Sequence, residues 1–199
     1  MRRRHGINGP GTHLGLLVVA LLLTGVFGIL LGGAVLRGPY HRKDWPHWID
    51  ADGNCRNTRA EVLLRDAPTG TVKFREAAEC TVDTGEWADP YGGGILTQAG
   101  EVDVDHLVPL KNAHEAGGWR WTTARRQEYA NDLAYRYHLL AVGRSANRGK
   151  GDKGPDQWRP ARTEFWCQYA QAWATVKHVW ELESTPAERQ ALREMLRRC

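Results

Sequence analysis

The sequence predicts an α+β fold, in which two strands and a helix are embedded in a mostly helical, disulfide-stapled domain behind one N-terminal transmembrane helix. Three observations carry this. Residues 102–108 and 139–142 are short β-like runs with helical sequence between them. Capping signals open helices on either side of that pair. All four cysteines lie beyond the long apolar run near the N-terminus.

In chain order, residues 1–13 contain Arg2, Arg3 and Arg4 and read as a basic cytoplasmic N-terminus. Residues 14–36 are an uncharged run of 23. A hydrocarbon core takes about 20 residues, so the run reads as a transmembrane anchor or uncleaved signal. With the arginines inside, the remainder lies outside the cell. The predicted location is the cell membrane, single-pass with an extracellular C-terminal domain; secretion after signal cleavage is the alternative. Residues 37–50, with Pro39 and Pro46, read as an irregular linker, and residues 51–199 as the domain.

Within the domain, Thr58 and Glu61 have capping-box spacing and open a helix to about residue 66. Residues 79–88 read as strand material, followed by the turn Gly92-Gly93-Gly94. The strand at 102–108 precedes helices over 111–116 and 123–134; residues 139–142 form a buried strand. The basic stretch 144–153 is broken by glycines and reads as a loop. Residues 163–182 read as a helix, and Thr185, Pro186 and Glu188 form a capping box with proline at the first helical position. Trp166, Trp173 and Trp180 recur every seven residues on that helix, the pattern of a packed stripe rather than a base-stacking platform.

An even number of cysteines in an exported domain predicts two disulfides. Residues 167 to 182 rise roughly 22 Å along a helix, and residues 186 to 199 roughly 20 Å. If these helices are antiparallel, Cys167 and Cys199 return to one level, which leaves Cys55 with Cys80. The chain has no CxxC pair, which argues against a cysteine metal site.

The net charge of +4 says little about nucleic acid. Without Arg2, Arg3, Arg4 and Arg37, the chain holds 23 basic residues against 23 acidic. Residues 136–162, however, carry a local excess of five positive charges around Asn147.

The chemistry concentrates in Asp103-Val104-Asp105-His106 and in Asn147-Arg148-Gly149-Lys150. An imidazole titrates near 6.5, so His106 can accept a proton from water. Asp105 and His106 point to opposite faces of a strand, so they share a site only if the strand ends there, and Pro109 suits that ending. A carboxylate at Asp105 and an amide oxygen at Asn147 suit one hard divalent ion, Mg²⁺ first and Mn²⁺ second. Arg148, Lys150 and Lys153 are placed to hold phosphates. Asp103 reads as a support for the ligands or as an exposed carboxylate.

These two segments resemble the ββα-metal finger of HNH endonucleases, and a similar pair occurs in the HNH domain of RNA-guided DNA nucleases. The wider pattern resembles secreted or membrane-anchored actinobacterial HNH proteins related to the C-terminal domain of GmrSD restriction enzymes. It includes Asn54-Cys55-Arg56, Gly85 to Tyr91, Tyr129-Ala130-Asn131-Asp132, Leu139 to Val142, Pro155 to Trp158 and the final cysteine, over roughly residues 40–199. The resemblance implies that His106 is the general base and that Asp105 and Asn147 hold the metal. DNA is the expected substrate ahead of RNA, and with no specificity module visible the default is cutting without sequence preference. Where the family usually has an asparagine that braces the base-carrying loop, this chain has His138. His138 is therefore expected to brace, to ligate or to loosen the loop, with Asn131 as the alternative brace. The competing function is an exported nucleic-acid-binding or scaffolding module that keeps the fold with little or no turnover. A structural ectodomain with a stabilising metal is a third.

Overall fold

A computed structural model describes residues 37–199. The run 14–36, and with it the expected anchor, lies outside those residues. Among the described residues, no helix is long and apolar enough to cross a membrane.

The first helix, α1 (Thr58–Asp66), starts one residue earlier than the Thr58 capping signal predicts. Asn57 is the cap and accepts from the Ala60 N–H; the Thr58 hydroxyl instead donates to Asn131 Oδ1 at 2.7 Å, with the Ile49 carbonyl 3.1 Å away. A three-stranded antiparallel sheet follows, formed by β1 (Lys73–Phe74), β2 (Val82–Ala88) and β3 (Ile95–Gln98) in that order. Only the middle strand is visible in sequence. Gly85 is required there, because a Cβ would meet the Trp87 ring at 2.7 Å. Trp87 folds back over the sheet and donates its indole N–H to the Leu63 carbonyl of α1.

A second, two-stranded sheet pairs β4 (Val102–His106) antiparallel with a later strand. Between the two lie α2 (Leu110–Glu115) and α3 (Thr123–Ala130). The last of these stops four residues short of the expected 134, since Asn131 turns its side chain to other partners. The partner strand, β5 (Leu139–Gly143), places Asp105 opposite Leu140 and His106 opposite Leu139. The chain then enters α4 (Arg144–Lys150). This corrects the reading of 144–153 as a loop: seven residues are helical, and the helix ends at Gly151 with φ +56°.

The ribbon of β4 and β5 separates two apolar cores. Val102, Val104, Leu139 and Ala141 pack with Val62, Leu63 and Trp87 on one side. Leu140 and Val142 pack with Tyr91, Tyr129 and Trp173 on the other. Every residue of β5 is buried, and each large side chain so buried stabilises by about 1.5–3 kcal/mol.

The closing pair is α5 (Trp166–Val179), preceded by a 3-10 turn, and α6 (Pro186–Leu196). Thr185 and Glu188 form the expected capping box, and the Glu188 carboxylate also pairs with buried Lys177 of α5 at 2.8 Å. Both expected disulfides are present, Cys55–Cys80 and Cys167–Cys199. Trp173 and Trp180 are core residues, as the stripe predicts.

Residues 37–50 contain only a 3-10 turn, yet they are built into the domain. Trp45 is 1% exposed, lies against Tyr129 and Trp121, and carries the Arg126 guanidinium on its face.

Candidate functional site

The strand β4 ends at His106, and the backbone then turns: the Leu107 N–H donates to the His138 carbonyl at 3.0 Å, and Pro109 opens α2. That turn lets neighbours on opposite strand faces reach one cavity. Asp105, His106, Asn147 and Arg148 all line the same space of about 360 Å³. The imidazole and the amide, far apart in sequence, line the same cavity.

His106 is held at Nε2 and on its ring faces. Its Nε2 lies 2.9 Å from the Ala130 carbonyl at the end of α3. A carbonyl only accepts, so Nε2 carries the proton and Nδ1 keeps a lone pair. Burial, with His138 nearby, holds the imidazole well below the ordinary histidine range, so the ring is neutral at neutral pH. Its two faces lie against Trp48 (centroids 5.4 Å apart, planes 23° apart) and Tyr129 (6.4 Å, 8°). Trp48 reaches this position with φ +59°, a left-handed conformation that costs a bulky residue about 1–3 kcal/mol. Asn131 over-determines it: Nδ2 donates to the Pro46 carbonyl and Oδ1 accepts from the Ile49 N–H. Asn131 thus supports the base indirectly, by clamping the segment that stacks on it.

His138 is 1% exposed, and its Nε2 lies 2.7 Å from the Tyr129 carbonyl, next to the carbonyl that holds His106. It is turned into the aromatic core, against Tyr129 and Trp180. Burial lowers it to about 4. The geometry is that of a brace for the end of α3, not of a ligand. Its Nδ1 is buried and has no partner among the described residues.

Lys150 departs from the sequence expectation. Read as a phosphate-binding residue, it is instead fully buried, because a lysine on the inner face of α4 can reach the end of β4. Its ammonium lies 2.8 and 2.7 Å from the two Asp105 oxygens and 2.9 Å from the His106 carbonyl, so all three N–H donors are used. The Tyr91 hydroxyl adds a third bond to the Asp105 carboxylate, 2.6 Å to Oδ2. Tyr91 is placed by Asp89, which accepts from the Tyr91 and Gly92 N–H groups. Asp89 also approaches the backbone at Gly143, where a Cβ would lie 2.6 Å from its oxygen. Burial pushes the Asp105 carboxyl up and the Lys150 ammonium down, and each charge opposes the shift of the other.

Lys153, also expected at a phosphate, is exposed and does not line the His106 cavity. It donates to the Gly149 carbonyl at 2.6 Å and lines the adjoining cavity. Of the three expected phosphate contacts, Arg148 alone faces the His106 cavity, and it has no ion pair among the described residues. Asp103, expected either to support the ligands or to be an exposed carboxylate, accepts from the Asn147 amide at 3.1 Å.

The donors left for a metal are few but suitable. Asp105 Oδ1 accepts only from Lys150 and keeps a lone pair, and Asn147 Oδ1 has no partner among the described residues. One carboxylate oxygen and one amide oxygen could hold a hard ion whose other ligands are water. No group of three His, Cys, Asp or Glu side chains is gathered among the described residues, so the set does not suit zinc.

Sequence reasoning misses Tyr40, Arg42 and Lys111, which line the cavity, and Trp48, which covers the base. The signal for three of them was the density of aromatic residues in the presumed linker. Lys111 is already neutralised by Asp152.

Residues 64–195 match the family model described as the C-terminal domain of GmrSD restriction endonucleases. An uncharacterised secreted protein of Arthroderma benhamiae is 43% identical over 175 residues, covering 85% of this chain and 83% of its own length. No solved structure matches the chain.

Proposed function

The chain belongs to the family of GmrSD restriction endonuclease C-terminal domains, and from that premise we propose that it is an exported, metal-dependent endonuclease acting on DNA without sequence preference. The observation that carries this reading is the tautomer at His106. The Ala130 carbonyl takes the Nε2 proton, so Nδ1 is left as a base facing a cavity shared with Asp105, Asn147 and Arg148. In this reading β4, β5 and α4 form the ββα-metal finger.

His106 Nδ1 removes a proton from water, and the water oxygen forms a bond to phosphorus. The bond from phosphorus to the 3′ oxygen breaks, and that oxygen takes a proton from solvent, leaving 3′-hydroxyl and 5′-phosphate ends. The ring needs no reorientation, because Trp48 and Tyr129 hold its faces. Arg148 binds a phosphate oxygen. Asp105 and Asn147 would hold Mg²⁺ or Mn²⁺, which when bound neutralises charge on the phosphate and leaving oxygen. Lys150 shares the same carboxylate, so metal binding is weak. Two disulfides and a relative described as secreted support export. Residues 14–36 would then serve as anchor or signal.

Plasmid nicking by the purified full chain tests the reading, across Mg²⁺, Mn²⁺, Ca²⁺ and EDTA. His106→Ala should abolish nicking and leave the circular dichroism spectrum unchanged; equal nicking by that variant refutes the assigned base. One observation favours a second reading, a nucleic-acid-binding module without turnover: the Lys150 ammonium already neutralises Asp105. That reading expects salt-dependent binding of DNA with no cleavage in any metal.

A further inference from the structure

The family match begins at residue 64, yet one wall of the cavity comes from Tyr40 and Arg42, ahead of it. That wall is fixed at several points. Trp45 is sunk in the core, and Asn131 holds the backbone on both sides of Trp48. His114 lies 2.9 Å from the Gly38 carbonyl. A tether that only joined the domain to residues 1–36 would need none of this.

The wall carries one charge of consequence. Arg42 lines the cavity together with His106 and Arg148. Its Nη2 donates to His47 Nε2 at 3.2 Å, and His47 Nδ1 donates to the Trp45 carbonyl at 2.8 Å. The second bond requires a proton on Nδ1, so Nε2 is free to accept and the guanidinium is oriented through a chain that ends in the core. Among the described residues Arg42 has no carboxylate partner, and neither has Arg148. Lys111, the other cation of the cavity, is paired with Asp152. An oriented but uncompensated guanidinium beside a general base matches an anionic ligand in charge and fork geometry.

We propose that Arg42, supplied by the segment ahead of the family-matched region, is a second phosphate-binding residue, so that the DNA backbone is gripped between Arg42 and Arg148. The proposal rests on the endonuclease reading and names part of its substrate contact. Its consequence is that residues 37–50 complete the site.

The test uses the full chain and a fluorescent 30-base-pair duplex. Affinity is measured from low to moderate salt in a His106→Ala background, and nicking kinetics in the otherwise natural chain. Arg42→Ala should weaken binding roughly tenfold or more and reduce the slope of log affinity against log salt by about one. Arg42→Lys should restore the slope without the full affinity. Lys43→Ala, at an exposed neighbour outside the cavity, serves as the control and should change neither. An Arg42→Ala chain that binds and nicks like the parent overturns the assignment of Arg42 while the endonuclease reading stands. Equal losses in Lys43→Ala and Arg42→Ala also overturn it, since they indicate diffuse charge rather than a seated contact. A natural chain that neither binds nor nicks the duplex overturns both readings.

Discussion

The buried pair of Lys150 and Asp105 makes the sharpest demand on the structure. The side chains are 0% and 7% exposed, and the ammonium makes three hydrogen bonds, none to solvent. Lys150→Met keeps the length of the side chain and removes its charge. Asp105 is then a carboxylate out of water with only the Tyr91 hydroxyl as donor. Removing one member of such a pair costs about 3–5 kcal/mol, because the other charge is left uncompensated. For a domain near 160 residues that lowers Tm by on the order of 10 °C. Asp105→Asn should cost a similar amount by stranding the lysine. The double variant should fall short of the summed losses by at least about 2 kcal/mol. Urea unfolding followed by tryptophan fluorescence, on all four proteins at pH 7, gives the cycle directly. Additive losses, or a Lys150→Met cost below about 1 kcal/mol, would mean that the lysine is solvated and free to meet phosphate after all.

Acid should also destabilise the domain in a defined window. Burial depresses His106, and lowers His138 to about 4, whereas an unfolded histidine titrates near 6.5. The unfolded chain therefore binds more protons below that value, and stability falls as pH drops from about 6.5 towards 4, by about 1.4 kcal/mol per pH unit per histidine. Urea midpoints at pH 7, 6 and 5 check this, and His138→Asn should remove one histidine's share of the slope. Trp48→Ala should lower kcat about tenfold to a hundredfold with little change in KM, while Trp48→Phe keeps most of the rate. A fall confined to KM would assign Trp48 to substrate binding instead. Closing loops of 25 and 32 residues, the two disulfides are each worth about 3.5 kcal/mol. Cys167→Ala/Cys199→Ala should shift the urea midpoint accordingly, and an unchanged midpoint would show that α5 and α6 are held by packing alone.

Much of this molecule is legible in its sequence where a local signal and a tertiary role coincide. The runs at 102–108 and 139–142, one alternating and the other apolar, read as strands, and β4 and β5 lie there. The Thr185 capping box opens α6, and the similar rise from Cys167 to the turn and back again brings Cys167 to Cys199. What the sequence hides is where tertiary contacts overrule local preference. The strands β1 and β3 are two and four residues long, mostly solvent-facing, and leave no alternation to detect. In α4, Gly149 and the alternating basic residues look like a loop, and the helix is fastened by a lysine reaching inward to another element. Nothing in the string distinguishes Lys150 from Lys153, because the difference is the direction of a side chain and not its chemistry.

The same sorting explains why charge counts mislead here. The basic stretch 136–162 suggests a broad anionic contact, yet its members are mostly spoken for. Arg136 lies 3.5 Å from Asp66, Arg159 pairs with Glu194, and Lys150 with Asp105. Lys153 and Arg162 donate to the Gly149 and Asp89 carbonyls. Arg148 remains at the cavity, and its counterpart comes from Arg42, outside the stretch altogether. A long-range field from such a neutral surface is weak, so recognition in the proposed reading depends on a few oriented guanidinia at the reacting phosphate. Two such contacts give a shallow salt dependence, about 0.9 per phosphate on duplex DNA. A slope near two, rather than the six or more of a basic groove, is therefore the value that this arrangement of charges requires.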